Sequence, residues 1–243
     1  LAPRLGTPTP LCYFAEIDDS NHFMIILDDM SPTLSVDQFS GLTLEQTRHG
    51  LVALASLHSG TTNDDELFGR GWLNGTKAAL APLYQSILPG LFTTFLDRFR
   101  QADADILDLV TNFAHRLPHY SAQASPYECV VHGDFRTDNL LFEGRGGEVP
   151  LAVVDWQTVS VSSPFLDVAY FLVTSLEPQL LLGAADELLD VYLEERSRLW
   201  SPIPRDAARS ELARYALQPV AMLVPAAVIV EQTDRGDRMF VEM

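Results

Sequence analysis

The sequence predicts an α+β fold in which helices dominate the chain after residue 30. Three observations lead to this class. Residues 11–30 contain two β-prone segments around a turn, and helical periodicity then recurs along much of the chain. Short apolar runs between residues 127 and 154 indicate a small local β unit. The expected order is therefore a hairpin, helices, the β unit and further helices.

The first part of the chain carries clear local signals. The segments CYFAEI and HFMIIL are rich in β-prone residues, and the turn-forming residues 18–21 separate them, which predicts a hairpin. A helix is expected from Thr43 to about residue 59, because Thr43 and Gln46 have the spacing of a capping box. Residues 69–75 are expected to form a loop because glycine recurs there.

The later elements follow from apolar periodicity and from turn residues. Pro219 and Pro225 should kink or break the last helix, because proline has no N–H to donate. The strands around residue 140 and residue 150 are expected to pair as a hairpin. The predicted strands are 127–131, 140–142 and 150–154, and the predicted helices are 76–100, 103–117, 165–175, 179–199 and 207–231.

Composition limits the classes of partner. Lys and Arg number 16 against 33 Asp and Glu, a formal net charge of −17, which argues against nucleic acid or an anionic membrane as partner. The same charge is compatible with a cationic substrate or with metal ions. No signal peptide is visible, and the apolar stretch PVAMLVPAAVIV is shorter than the roughly 20 residues that span a bilayer. Two cysteines far apart in sequence fit a reducing compartment, so a cytoplasmic location is expected.

The segment VVHGDFRTDNLLF, residues 130–142, places a polar cluster between two apolar runs. Asp134 and Asn139 fall on a loop between two predicted strands, and Asp155 follows the next strand. If those strands pair as expected, Asn139 and Asp155 meet at one edge of the β unit. An amide oxygen and a carboxylate oxygen suit Mg²⁺ with bound phosphates, and Asp134 beside them could accept a hydroxyl proton.

This arrangement is typical of a phosphotransferase. The protein-kinase catalytic loop H-R-D-x-x-x-x-N separates the base from a metal ligand in the same way, and a second metal-binding Asp lies on a later strand. Here the pattern is H-G-D-x-x-x-x-N, followed by Asp155-Trp156-Gln157. The combination resembles the aminoglycoside phosphotransferase and choline-kinase-like superfamily, and its D-W-Q form is similar to that of small-molecule kinases related to ecdysteroid kinases.

The resemblance implies a protein-kinase-like fold, ATP and Mg²⁺ as cofactors, and a small hydroxylated molecule as acceptor. It also implies that residues 1–30 are the end of an N-terminal lobe and the hinge, with the helical C-terminal lobe over residues 31–243. The segment around Asp28 and Met30 resembles the hinge strand, whose backbone meets the adenine. Asp167 in PFLDVAY resembles the buried Asp that steadies the catalytic loop, although it could instead cap a helix.

The remaining polar residues of the motif have open roles. His132 is expected to orient the loop rather than to act as a base. Arg136 could neutralise phosphate charge or could be a solvated loop arginine, and Asp138 is expected to be a loop or solvent carboxylate.

Alternatives to an active kinase also remain open at this stage. No glycine-rich phosphate loop or strand lysine is visible, so we expect that most of the N-terminal lobe is missing from this sequence, and the alternative is a degenerate protein. A pseudokinase or ligand-binding module would keep the fold without catalysis. A dinuclear metal hydrolase using His132, Asp134 and Asp155 would need further His and Asp ligands. The acceptor, the choice of ATP or GTP and the oligomeric state are left open by the sequence.

Overall fold

A β-hairpin begins the described part of the chain. The computed structural model describes residues 6–121, 125–233, 236–238 and 240, with the backbone alone at 74–85, 118–119 and 121. Strands β1 (Cys12–Ile17) and β2 (Phe23–Leu27) pair antiparallel, which confirms the predicted hairpin. In the turn, the Asp18 carboxylate accepts the backbone N–H groups of Ser20 and His22 at 2.8 and 2.9 Å. Both strands are exposed along their whole length.

Four helices follow the hairpin. The capping box of α1 is confirmed, since the Thr43 hydroxyl accepts from the Gln46 N–H at 3.2 Å and the Gln46 side chain accepts from the Thr43 N–H at 2.9 Å. The prediction of a loop at 69–75 is wrong from Gly71 onward, because helix α3 begins there. Leu73 in the first turn of this helix is buried in the larger of two apolar clusters. The helices are α1 (Leu44–Ser59), α2 (Asp65–Phe68), α3 (Gly71–Arg98) and α4 (Ala104–Ser121).

The β unit consists of two strand pairs, one nested in the other. The predicted hairpin is confirmed, because β4 and β5 pair antiparallel with Leu140 opposite Val153. A further strand, β6, pairs with β3 and has no counterpart in the sequence prediction, since its three residues SVS are short and largely polar. The nesting makes residues 132–139 face residues 154–159. The strands are β3 (Cys129–Val131), β4 (Leu140–Gly144), β5 (Val149–Val153) and β6 (Ser160–Ser162).

Helices α5 to α8 complete the described chain. The long helix expected at 207–231 is broken at residues 216–217, just before Pro219, whereas Pro225 lies inside α8. By length and composition, Arg205–Ile229 could cross a membrane, the one such stretch in the described residues. In this stretch, Val224 and Ala227 are buried in an apolar cluster of the protein. That the protein has no membrane partner remains a prediction. The helices are α5 (Pro164–Ser175), α6 (Pro178–Leu199), α7 (Arg205–Tyr215) and α8 (Gln218–Ile229).

Two apolar clusters stabilise these helices. The larger one joins α1, α5 and α6 to strands β3, β4 and β5, and the smaller one joins α3, α4 and α8. Residues 132–139, here called the polar loop, are attached to the larger cluster by Phe135. This side chain is fully buried, and its ring meets Phe171 of α5 edge to face at 5.1 Å between centroids. The polar loop is therefore anchored in the larger apolar cluster.

The contact between α1 and α5 depends on a glycine. A Cβ added to Gly50 would lie 2.4 Å from Cζ of Phe171, whereas one added to the exposed Gly183 of α6 would meet no atom within 4 Å. We expect Gly50→Ala to lower the free energy of unfolding by about 1–3 kcal/mol through overpacking. The matched change Gly183→Ala should raise it by about 0.5–1 kcal/mol through helix propensity. Urea denaturation followed by circular dichroism measures the free energy of unfolding of both variants. If both substitutions change it by the same amount in the same direction, the close packing at Gly50 is contradicted.

Candidate active site

The polar loop and the segment after β5 are bonded to each other. The N–H of Val154 donates to the carbonyl of Asn139 at 3.1 Å, and the Thr158 hydroxyl donates to the carbonyl of His132 at 2.8 Å. Asn139 therefore lies beside the residue that precedes Asp155, as the sequence pattern predicts. Asp155 itself is exposed at the edge of the β unit.

A buried carboxylate holds the start of the polar loop. Asp167 of α5 is fully buried and accepts the backbone N–H groups of His132 and Gly133 at 2.7 and 2.8 Å. The alternative that Asp167 caps a helix does not hold, because Ser163 occupies the N-cap position and accepts from the Phe165 N–H. Asp167 lies in the first turn of α5, where the helix dipole favours a negative charge.

His58 is a third donor to this carboxylate. Its Nε2 lies 3.3 Å from the Asp167 carboxylate, and its Nδ1 lies 3.0 Å from the hydroxyl of Tyr192. Burial lowers the pKa of His58 even though the neighbouring Asp167 opposes the shift. His58 is therefore a neutral imidazole at neutral pH.

His132 joins the two segments of the site. Its imidazole is fully buried, with Nε2 3.0 Å from the carbonyl of Val154 and Nδ1 accepting the N–H of Asp134 at 3.3 Å. A carbonyl can only accept, so the proton is on Nε2. The ring also packs against Trp156 at 4.8 Å between centroids. These contacts orient backbone groups, in keeping with the orienting role expected from the sequence.

Gly133 makes the sharp turn into the loop. Its φ of +86° is in a region that side chains disfavour, and an added Cβ would lie 2.6 Å from the carbonyl oxygen of Thr158. The position therefore admits no side chain without displacing the segment that carries Asp155.

The carboxylate of Asp134 is held from three sides. One oxygen lies 3.3 Å from Nε of Arg136, and the other accepts from Nδ2 of Asn139 at 3.1 Å. The phenol of Tyr170 also hydrogen-bonds to it, and burial raises the pKa of that phenol, with the nearby Asp134 charge as the next cause. Tyr170 therefore stays protonated and donates. The Asp134 side chain keeps 17% of its surface exposed, which leaves a route for a ligand.

Arg136 is engaged by its neighbours rather than free in solvent. Its NH1 group donates to the side chains of Gln38 at 2.7 Å and Asp138 at 2.9 Å. The buried Gln38 in turn donates to the carbonyl of Thr174 at 3.1 Å. Arg136 is thus tied to α5 with its guanidinium beside Asp134, while Asp138 remains largely exposed.

The residues expected to bind a metal fit Mg²⁺. Asn139 uses its Nδ2 on Asp134, which leaves its amide oxygen available, and Asp155 has one long contact from Gln157 at 3.4 Å. These are hard oxygen ligands of the kind that Mg²⁺ takes together with phosphates and water. Within the described residues, no group of three or more His, Cys, Asp or Glu side chains is arranged to hold a metal ion. The additional ligands that a dinuclear hydrolase requires are therefore not seen in that part of the chain.

Asp28 and Met30 lie at the other end of β4. The Asp28 carboxylate is paired with Arg145, and the Met30 carbonyl accepts the Arg145 N–H at 2.8 Å. Arg145 directly follows β4, whereas Asn139 directly precedes it. At about 3.3 Å per residue this separation is up to roughly 20 Å, so the structure does not bring these two residues to Asp134.

A comparison with protein families assigns the chain. The model of the ecdysteroid kinase-like family matches residues 5–199. The chain belongs to the ecdysteroid kinase-like family. The polar loop, Asp155 and Asp167 all fall inside the matched region.

Curated relatives of this ecdysteroid kinase-like chain are much longer proteins. It is 37% identical over 84 residues to acyl-CoA dehydrogenase family member 10 of Mus musculus, a match over 34% of this chain and 8% of that protein. It is 44% identical over 43 residues to acyl-CoA dehydrogenase family member 11 of Gallus gallus, over 18% of this chain and 5% of that protein. The chain thus matches a small part of the length of these relatives.

Solved structures confirm the predicted fold class. A microcompartment-associated aminopropanol kinase superposes with a TM-score of 0.60 at 16% identity, over 99% of this chain and 74% of that one. Aminoglycoside 2'-phosphotransferase-IIIa in its GDP complex gives 0.56 at 15% identity, over 100% of this chain and 77% of that one. The fold is therefore that of kinase-like small-molecule phosphotransferases.

Several residues of the site were not found from the sequence of this ecdysteroid kinase-like chain, among them Tyr170, Gln38 and Tyr192. Tyr170 is three positions after Asp167, so the helical period places both on one face of α5, and this spacing could have indicated it. Gln38 and Tyr192 carry no such signal. They reach the site across 98 and 134 residues of sequence, respectively.

The neutral state of His58 predicts a pH dependence of stability. In the unfolded chain His58 binds a proton below about pH 6.5, whereas the folded chain excludes that proton, so the free energy of unfolding should fall as the pH falls. The slope should approach about 1.4 kcal/mol per pH unit below that value. His58→Gln should remove this contribution, and the matched change of the exposed His49, His49→Gln, should keep it. Urea titrations between roughly pH 5 and 7 compare the slopes, and an undiminished slope in His58→Gln would refute the assignment.

Proposed function

We propose that this chain carries the catalytic lobe of an ATP-dependent kinase that transfers the γ-phosphoryl group to a hydroxyl of a small molecule. The observation that carries the proposal is the joint placement of Asp134, Asn139 and Asp155. The Asn139 amide binds the Asp134 carboxylate, and the Asn139 carbonyl binds the residue before Asp155. The family and the fold supply the reaction class that this placement serves.

Asp134 is the proposed base. A carboxylate oxygen can accept more than one hydrogen bond, so the contacts from Arg136, Asn139 and Tyr170 leave lone pairs for an acceptor hydroxyl. The same contacts fix the direction in which the carboxylate points. Asp134 would orient the hydroxyl for attack and take its proton as the new bond to phosphorus forms.

Asn139 and Asp155 are the proposed magnesium ligands. Mg²⁺ held by these two residues would offset the charge of the nucleotide phosphates. The chain contributes a fixed spacing between Asp134 and Asn139, and His132 and Asp167 hold the backbone on which that spacing depends. Arg136 beside Asp134 would stabilise negative charge on the transferring phosphoryl group.

The hinge belongs to the same proposal. We place residues 1–30 at the end of an N-terminal lobe and residues 31–243 in the lobe that carries the site; residues 1–5 and 241–243 lie outside the described residues. The exposed apolar faces of β1 and β2 fit strands that are part of a larger sheet. Because the Asp28 carboxylate is paired with Arg145, adenine would bind to the backbone of the hinge rather than to this side chain.

The acceptor class is proposed from charge. The net charge of −17 and the carboxylates of the site favour a hydroxylated molecule that also carries a positive charge. The same charge disfavours nucleic acid and anionic membranes as partners, and a cytoplasmic location fits the two unpaired cysteines.

Substitutions at the site test the proposal. Asp134→Asn should lower kcat by about 10²–10⁴-fold, because the general base is lost while the shape of the side chain is kept. Asp155→Asn should abolish transfer and weaken Mn²⁺ binding, and the matched change of an exposed carboxylate on α7, Asp206→Asn, should alter neither. ADP release is measured with ATP and a panel of hydroxylated amines, and Mn²⁺ binding is measured by electron paramagnetic resonance.

Two results would contradict the assignment. Normal turnover in Asp155→Asn would exclude the metal role of Asp155. Nucleotide and metal binding by the unaltered protein without transfer to any acceptor of the panel would favour a ligand-binding module over a kinase.

A further inference from the structure

The hydroxyl of Tyr192 lies at the end of a buried chain of hydrogen bonds beneath the polar loop. Tyr192 on α6 contacts His58 on α1, His58 contacts Asp167 on α5, and Asp167 binds the N–H groups of His132 and Gly133. The side chains of Tyr192, His58 and Asp167 are all fully buried. Water therefore does not compete for these contacts, and each group depends on its partner in the chain.

The direction of each hydrogen bond follows from the chemistry of the groups. Both carboxylate oxygens of Asp167 already accept from backbone N–H groups, so His58 donates to Asp167 from Nε2. A neutral imidazole has one N–H, which leaves Nδ1 of His58 as an acceptor. The hydroxyl of Tyr192, at 3.0 Å, therefore donates to Nδ1.

A buried arginine favours the same direction. Arg196, one turn after Tyr192 on α6, is 2% exposed and donates to the carbonyl of Ser201 at 2.6 Å and to the hydroxyl of Thr62 at 3.3 Å. Its charge acts on the Tyr192 phenol and opposes the rise in pKa that burial causes there. A cation near the phenol attracts the hydroxyl oxygen, so the hydroxyl proton points toward His58.

The groups around His58 come from two elements, α5 and α6. Asp167 of α5 attracts a proton to His58, whereas Arg196 of α6 disfavours one, and Tyr192 of α6 supplies a neutral donor. Without the Tyr192 hydroxyl, the buried Nδ1 of His58 would lose its donor. The imidazole would then be held by Asp167 alone, and the contact that steadies the Asp167 carboxylate under the loop would loosen.

We propose that Tyr192 is a positioning residue for the polar loop. Its hydroxyl holds the His58 imidazole in the orientation that donates to Asp167, and Asp167 in turn fixes the backbone of His132 and Gly133, directly before Asp134. The effect on phosphoryl transfer rests on the proposed function, whereas the effect on His58 and on the loop backbone does not.

The change Tyr192→Phe isolates the hydroxyl. It keeps the ring and its edge contacts with His58 and Phe165, at 5.8 and 5.9 Å between centroids. The matched control is Tyr120→Phe, which also removes a hydroxyl hydrogen bond, to the Gln218 side chain at 2.7 Å, but beside the smaller apolar cluster. Both variants lose one hydrogen bond and retain an aromatic ring, so a general loss of stability appears in both.

The closing experiment combines spectroscopy with kinetics. In protein labelled with ¹⁵N-histidine, His58 should be the Nε2–H tautomer in all three proteins, because Asp167 requires it. The ¹⁵N shift of its Nδ1 should change in Tyr192→Phe alone, because that variant lacks the hydroxyl hydrogen bond. Amide exchange at His132 and Gly133 should accelerate in Tyr192→Phe alone. The kcat for phosphoryl transfer should fall about tenfold in Tyr192→Phe, with KM for nucleotide and acceptor unchanged, because one buried hydrogen bond controls orientation and not binding.

Each outcome decides the proposal. An unchanged Nδ1 shift in Tyr192→Phe overturns it, and so does a changed shift with unchanged exchange at Gly133, because the effect would then end at His58. An unchanged kcat despite faster Gly133 exchange overturns the link to catalysis. If the unaltered protein transfers no phosphoryl group, the proposed function fails, and the Nδ1 shift and the amide exchange still test the hydrogen-bond chain.

Discussion

The buried carboxylate of Asp167 accepts two backbone N–H groups of the polar loop, and the rest of the site is arranged around this contact. Removing a carboxylate from water is costly unless donors surround it, so Asp167 requires the loop as much as the loop requires Asp167. His58 supplies a further donor and stays neutral. The local geometry of Asp134, the next residue in the loop, is thus fixed from the core outward and does not depend on solvent-exposed contacts.

A second constraint joins the two segments that carry the proposed catalytic and metal-binding groups. Strands β3 and β4 flank the polar loop but pair with other strands, so the ladder alone does not fix the loop against Asp155. That relation comes from the His132 imidazole on the Val154 carbonyl and from the Thr158 hydroxyl on the His132 carbonyl. Gly133 permits the close approach, because any side chain there would meet Thr158.

Local patterns in the sequence predicted most of this arrangement, and long-range contacts supplied the rest. The hairpin, the capping box of α1 and the pairing of β4 with β5 each depend on residues close in sequence, and all are confirmed. The start of α3 was missed because burial of Leu73 outweighs the glycine-rich composition. Gln38 and Tyr192 could not be found, because they lie far along the sequence from their partners in the site. Helical or strand periodicity relates only residues that are close in sequence.

The charges of the site bear on why the proposed kinase would need a metal ion. Asp134, Asp138 and Asp155 lie on the two facing segments, with Arg136 as the cation paired to the first two. Such a set repels a free polyphosphate, since three carboxylates outnumber the one guanidinium. A divalent cation on Asn139 and Asp155 would reverse the local field and so attract phosphate oxygens. The carboxylates that exclude an uncomplexed nucleotide would thus select the metal-bound one, and they would also favour an acceptor that carries a positive charge.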